Sequence, residues 1–183
     1  MENKRLMILG TNEYQNPLIL RAKELGYETH VFGWPHGDIG ETTADVYHPV
    51  NILDYDLLWE ECQKLNPCGV ASVCSELAMH PMNYLLRKMG IPCNSLETET
   101  MTTNKYLMRK AMKEGGLDSP NFMLVTKNMT LEYVEKEVKD FHFPLIIKPC
   151  DLSSSRGVFK IETSKNLWEG MEYALGWSKT GEA

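Results

Sequence analysis

The sequence lacks any apolar run near the ~20 residues that a membrane-spanning helix requires. Its polar start, Met1-Glu2-Asn3-Lys4-Arg5, leads into a short aliphatic run and not into a signal-peptide core, so a cytoplasmic location and no membrane partner are expected. Cysteine is sparse and odd in number. Cys62, Cys68, Cys74, Cys93 and Cys150 include no CxxC pair, which argues against a disulfide framework or a zinc site and fits a reducing compartment. Basic charge is in deficit, with 19 lysines and arginines against 25 acidic residues and a net charge of −6. The deficit lies in the first half: residues 1–95 carry seven basic and twelve acidic side chains, and residues 96–183 carry twelve and thirteen. Neither half offers the basic surface of a nucleic-acid binder. Histidine is scattered as His30, His36, His48, His80 and His142, and loop residue His36 has no second ligand at helical or hairpin spacing, so no metal site is expected. No GxxxxGKS/T phosphate loop, internal repeat or low-complexity tract occurs.

What is present is an ordinary globular composition, 43% hydrophobic and 24% charged, in a chain long enough for one large domain or two small ones. The first 95 residues alternate strand and helix patterns. Residues 6–9 read as a buried strand, 17–25 as an amphipathic helix closed by Gly26, 29–32 as a second strand and 46–50 as a short third. Asp54 caps a helix whose apolar face is Leu57, Leu58 and Leu65, stopped by Pro67. Residues 70–73 then form a strand, a helix runs through residues 85–89, and residues 90–93 read as a last short strand. Such alternation predicts an α/β fold with a parallel, doubly wound, Rossmann-like sheet that receives ligands at the carboxyl ends of its strands.

The character changes after Asn94, which divides the chain into domains 1–95 and 96–183. Residues 98–104 read as a threonine-rich connector, 105–114 as a helix ending at Gly115-Gly116, 118–120 as a turn and 122–126 as a strand. A helix over residues 130–141 turns Leu131, Val134 and Val138 inward. Its N-cap is Thr130, the last residue of a sequon read here as a helix approach. A final helix covers residues 165–175. The eleven methionines are read as core filler.

Three stretches carry candidate chemistry. Gly10-Thr11-Asn12-Glu13-Tyr14-Gln15-Asn16 stands where a dinucleotide-binding protein has its glycine fingerprint, yet positions 12 and 15 are Asn12 and Gln15, so close pyrophosphate approach is not supported. A loop contacting a small substrate and a plain helix start both fit. Glu76, at a strand end, could bind an amine or hydroxyl, or simply favour the first turn of the next helix. In residues 144–161 a strand ends at Lys148, passes through Ser153, Ser154, Ser155 and Gly157, and returns as a second strand. The hydroxyls, the loop N–H groups, the freedom of Gly157 and the charge of Lys148 suit a nucleotide phosphate, although a surface hairpin needs the same residues.

Taken together these stretches resemble the ATP-grasp superfamily, in its carbamoyl-phosphate-synthase-like and biotin-carboxylase-like branch. Residues 5–96 resemble the pre-ATP-grasp domain, and Thr103-Asn104-Lys105-Tyr106-Leu107-Met108-Arg109 resembles the opening of the nucleotide domain. Residues 143–149 with 153–158 resemble the lysine strand and flexible phosphate loop. The resemblance implies ATP and Mg2+ as cofactors, with Lys105, Lys148, Ser153, Ser154, Ser155 and Gly157 on the phosphates and Lys148 nearest the adenine side. It implies a small carboxylate substrate, activated as an acylphosphate for attack by an amine or other nucleophile, with Gly10, Asn12 and Glu76 as candidate substrate contacts. No catalytic residue is singled out. Family members continue into a second half with an acidic hinge and the magnesium ligands, so a chain of this length is expected to be the N-terminal portion of such a ligase and inactive or nearly so. Its uncovered edges favour self-association into a homo-oligomer. The alternative is a non-catalytic Rossmann-like module that binds a small molecule or partner chain; a nucleotide-cofactor oxidoreductase is the weakest reading, for want of the glycine fingerprint.

Overall fold

Buried side chains at every position from Met7 to Leu9 make β1 (Arg5–Leu9) a strand covered on both faces. The computed structural model describes residues 4–183, which divide into two compact units between Ser95 and Leu96. In the first unit β1 lies between β2 (Glu28–Phe32) and β4 (Gly69–Ala71), with β3 (Val46–His48) outside β2, and every pairing is parallel. Helices α1 (Asn16–Glu24), α2 (Ile39–Thr43), α3 (Tyr55–Leu65) and α4 (Glu76–Met89) alternate with the strands along the chain. One core packs Met7, Leu9, Phe32 and Val70 with Leu58 of α3 and Leu85 of α4, and another packs Ile8 and Val31 with Ile19 and Ala22 of α1. Burying side chains of this size contributes roughly 1.5–3 kcal/mol each. The parallel α/β architecture is the one the alternating pattern predicts.

Two local expectations for this unit need correction. Asp54 does cap α3, accepting from the Leu57 N–H at 3.2 Å, but Leu57 itself is exposed and the inward stripe is Leu58, Cys62 and Leu65. Burial there pushes the Cys62 thiol up to about 11. Residues 90–93 form no strand. Gly90, in the left-handed region at φ 69°, ends α4, and the N–H groups of Gly90 and Ile91 donate to Arg87 and Leu86 at 3.1 and 3.0 Å. Those donors are therefore spent on the helix end and cannot pair with a neighbouring strand.

Asp45 braces the edge of the sheet. One oxygen of its carboxylate accepts from the Thr29 N–H and the Thr29 hydroxyl, both at 2.8 Å, while the other meets Lys23 Nζ at 2.9 Å. The Thr29 N–H bond leads the causes that lower this carboxyl to about 2. A carboxyl depressed below its unfolded value stabilises the fold above that value and ceases to do so as pH falls through about 2. Asp45→Asn is accordingly expected to lower stability at pH 7 by roughly 1 kcal/mol, allowing for solvent screening of this part-exposed group. The difference should shrink toward pH 2, as acid titration of both proteins by circular dichroism would record; a pH-independent difference would refute this role.

The second unit begins with α5 (Leu96–Thr103), where a connector was expected. Threonine is a poor helix former, but Thr100, Thr102 and Thr103 return their hydroxyls to the carbonyls of Leu96, Thr98 and Glu99 at 2.8–2.9 Å, and Glu97 and Glu99 occupy the first turn. Then follow α6 (Lys105–Glu114), capped by Asn104, and α7 (Leu131–Glu137), capped by Thr130. Helix α7 is shorter than the expected span to residue 141. Residues 122–126 are not a regular strand: Val125 exchanges backbone bonds with Ala183 at 2.8 and 2.9 Å, beside a single bridge between Thr126 and Glu182. The antiparallel pair β5 (Leu145–Ile147) and β6 (Phe159–Ile161) precedes α8 (Leu167–Trp177), which starts and ends two residues later than the pattern suggests. Val125, Val134, Ile147, Ile161, Leu167 and Met171 form the core of this unit.

Candidate functional site

The hairpin supplies the frame. Register Leu145↔Ile161 and Ile147↔Phe159 turns Ile147 and Ile161 into the core, while Ile146 and Lys160 face out. Lys148 follows β5 directly and is half-buried, and Pro149 and Cys150 are buried behind it. The Cys150 carbonyl accepts the Lys105 N–H at 3.1 Å, and Lys105 Nζ donates to the Leu152 carbonyl, so the start of α6 is fastened to the chain that leaves β5. Lys105, Arg109 and Lys148 thereby line one cavity of about 630 Å³, floored by Val125, Ile147 and Met171. Three cationic side chains at the rim of an apolar recess suit a ligand with a flat apolar part and an anionic tail.

The serine loop follows Leu152, whose carbonyl takes Lys105 Nζ. Ser154, Ser155 and Gly157 hold φ of 56°, 57° and 71°, and Ser153 accepts from the Arg156 N–H and side chain at 3.3 and 3.2 Å. The N–H groups of Ser154, Ser155 and Gly157 have no acceptor among the described residues. Free backbone N–H groups in a turn are an arrangement that can take an anion. Ser154 and Ser155 are exposed, Gly157 is buried, and the serine side chains lie outside the cavity lining proper. Two non-glycine residues in this conformation cost of order 1 kcal/mol or more each, which is sustained only if the flanking structure holds the loop.

That hold comes from residues that the sequence reading missed. Asp151 accepts from the backbone N–H groups of Lys179 and Thr180 at 2.8 and 2.9 Å and from the Ser178 hydroxyl at 3.1 Å. Burial alone raises its carboxyl, but the donors from Thr180, Ser178 and Lys179 outweigh it and hold Asp151 below the usual range. Buried Ser178 in turn accepts the Gly181 and Glu182 N–H groups, both at 3.0 Å, and the Glu182 carbonyl takes the Cys150 N–H at 3.0 Å.

The remaining sequence-derived residues lie in the first unit, at the carboxyl ends of its strands. Gly10 has φ 109° and donates to the Phe32 carbonyl at 2.8 Å. Asn12 turns its side-chain oxygen onto its own loop, accepting from Tyr14 and Gln15 N–H groups at 3.1 and 3.3 Å. Glu76 is an exposed first-turn residue of α4, next to the Ser75 cap. Between these loops sits Gln15, fully buried: its carbonyl accepts the Val73 N–H at 3.0 Å and its amide donates to the Val73 carbonyl. Gln15 also packs on Gly10, its Cγ 3.1 Å from where a Cβ at Gly10 would stand. The gap between β1 and β4 that receives a pyrophosphate in dinucleotide-binding sheets is filled here by an amide side chain.

The family described as D-ala D-ala ligase C-terminus matches residues 111–180. A formate-dependent phosphoribosylglycinamide formyltransferase of Prochlorococcus marinus is 25% identical over 173 residues, 94% of this chain and 44% of that protein. Among solved structures, the ADP complex of an N5-carboxyaminoimidazole ribonucleotide synthetase superposes with a TM-score of 0.77 at 18% identity, covering 100% of this chain and 46% of the other. The biotin carboxylase domain of Hydrogenobacter thermophilus 2-oxoglutarate carboxylase gives a TM-score of 0.77 at 16% identity, over 96% and 41%. The proteins this chain is similar to are ATP-grasp proteins. It spans less than half the length of these relatives. Lys148 was legible because strand and loop patterns flank it. Gln15, Asp151 and Ser178 were not, because each bonds to backbone that is remote in sequence, a relation without local period or motif.

Proposed function

We propose that residues 96–183 are the first part of an ATP-grasp nucleotide domain and residues 1–95 its companion substrate domain. In this reading the cavity rimmed by Lys105 and Lys148 takes ATP, with Ser153, Ser154, Ser155 and Gly157 against its phosphates. The observation that carries it is the pairing of two half-buried lysines on one cavity with the free N–H groups of the serine loop. Such positioned charge is the larger part of catalysis in phosphoryl transfer. The reaction class is ATP-dependent ligation. A carboxylate oxygen attacks the γ-phosphorus and ADP leaves; an amine or other nucleophile then attacks the acylphosphate and expels phosphate. Gly10, Asn12 and Glu76 are the proposed substrate contacts, Asn12 only after its side chain leaves its present bonds to the loop. Mg2+ is proposed to travel with ATP; among the described residues no three His, Cys, Asp or Glu side chains gather.

Lys148→Ala tests the assignment. A charge-assisted hydrogen bond to phosphate contributes about 1.5–3 kcal/mol, so Mg-ATP affinity should fall roughly 10- to 100-fold in isothermal titration. Thermal stability without ligand should change little, because a lysine just beyond a strand end contributes little to a core. Unchanged affinity would sink the assignment, and a large ligand-free loss of stability would make Lys148 a structural residue instead.

A further inference from the structure

Loop 153–157 is held at both of its ends by the same short piece of chain. On its N-terminal side, the Asp151 carboxylate takes the Lys179 and Thr180 N–H groups at 2.8 and 2.9 Å and the Ser178 hydroxyl at 3.1 Å. On its C-terminal side, Gly157 is buried under Trp177, so close that a Cβ there would stand 2.7 Å from the Trp177 Cβ. Residues 177–180 thus anchor the loop from before and behind. The residues flanking Asp151 in sequence carry the rest of the site: the Cys150 carbonyl takes the Lys105 N–H at 3.1 Å and the Leu152 carbonyl takes Lys105 Nζ. Asp151 is not among the residues that line the cavity, yet it stands where the fastening of Lys105 and that of the loop meet.

We infer that Asp151 is a positioning residue, whose bonds to Ser178, Lys179 and Thr180 fix the serine loop and Lys105 in the arrangement that receives a triphosphate. The ligand part of this inference rests on the nucleotide reading above; the loop part does not. A plain helix-end role is the competing account, since Ser178 also terminates α8. The two differ in where disorder appears. Loss of a helix end loosens the whole unit, whereas loss of a positioning residue releases the loop first.

Arg156 makes the difference measurable, because it is exposed inside the loop and is a trypsin site. In the full chain, Asp151→Asn is expected to speed cleavage after Arg156 about tenfold relative to cleavage after Lys136, an exposed residue of α7 in the same unit, as read by mass spectrometry. Ser178→Ala, which removes one of the three donors and leaves both backbone bonds, should give a smaller increase of about threefold and decides the matter if Asp151→Asn does not fold. Titration supplies the second arm: Asp151→Asn should weaken Mg-ATP about tenfold and leave adenosine affinity unchanged. If the wild-type chain takes no Mg-ATP while Arg156 is released as expected, the nucleotide reading fails and the positioning role of Asp151 stands. If Arg156 is cut at the wild-type rate in both variants, or only in step with Lys136, the positioning role is overturned.

Discussion

Gly157→Val is expected to be the most damaging single substitution in the second unit, costing roughly 3 kcal/mol or more of stability and displacing the serine loop. Two effects add. At φ 71° a side chain with a Cβ meets its own carbonyl, a cost of about 1–2 kcal/mol that rises for a β-branched residue. The Cβ would also stand 2.6 Å from Pro149 Cγ and 2.7 Å from Trp177 Cβ, where no real Cβ contact lies, and such overpacking costs typically 1–3 kcal/mol. Neither neighbour can yield easily: Pro149 has a fixed ring in the buried strand exit, and Trp177 closes α8. Equilibrium denaturation of the variant should show a clear drop in midpoint with an unchanged slope. A midpoint within a few tenths of a molar of wild type would mean that the loop is free to move away and that Gly157 is not its anchor.

Gln15→Leu is expected to have a comparable effect on the first unit, about 2–4 kcal/mol. The side chains are close in volume, so the loss is not a cavity effect. The N–H and the carbonyl of Val73 both lose their side-chain partner, and each unsatisfied group costs about 1–3 kcal/mol to the extent that water cannot replace the bond. Gln15→Glu is the sharper control. A carboxylate still accepts from the Val73 N–H but has nothing to donate to its carbonyl, and it brings a charge to a site with no solvent exposure. Both variants should unfold at lower urea than wild type, with the glutamate restored in part on acidification as the carboxyl regains a proton. Wild-type stability in both would show that the two loops stay together without the amide.

These two residues also mark the limits of what the sequence reveals. The sheet of the first unit was legible because three consecutive buried aliphatics in β1, and the helix signals between strands, leave few other folds that cover both faces. The hairpin was legible for a similar reason, with short aliphatic runs bounded by Pro144, Pro149 and the serine turn. Lys148 could be singled out from the strand exit and serine turn around it, whereas Lys105, a lysine at a helix start and ordinary by itself, could be singled out only through family resemblance. The helix at residues 96–103 escaped because its threonines oppose helix by propensity and are reconciled by hydroxyl bonds to carbonyls four residues back. Residues 90–93 looked like a strand because an apolar residue next to proline does, although their N–H groups close α4. Gln15 was noted only as a glycine that was missing. Its amide fills the space that such a glycine would leave for a pyrophosphate, and only the Val73 backbone, 58 residues away, explains why.

The central claim, that the Lys105 and Lys148 cavity with its serine loop receives the phosphates of ATP, is tested most directly by mapping backbone amide shifts in the nitrogen-15 spectrum while Mg-ATP is titrated to millimolar concentration. Weak binding remains visible under these conditions. The account predicts shifts concentrated at Lys105, Lys148 and the amides of Ser154, Ser155 and Gly157, reduced with adenosine and abolished in Lys148→Ala. Shifts confined to the Gly10–Gln15 loop, or no shifts with ATP, would contradict it.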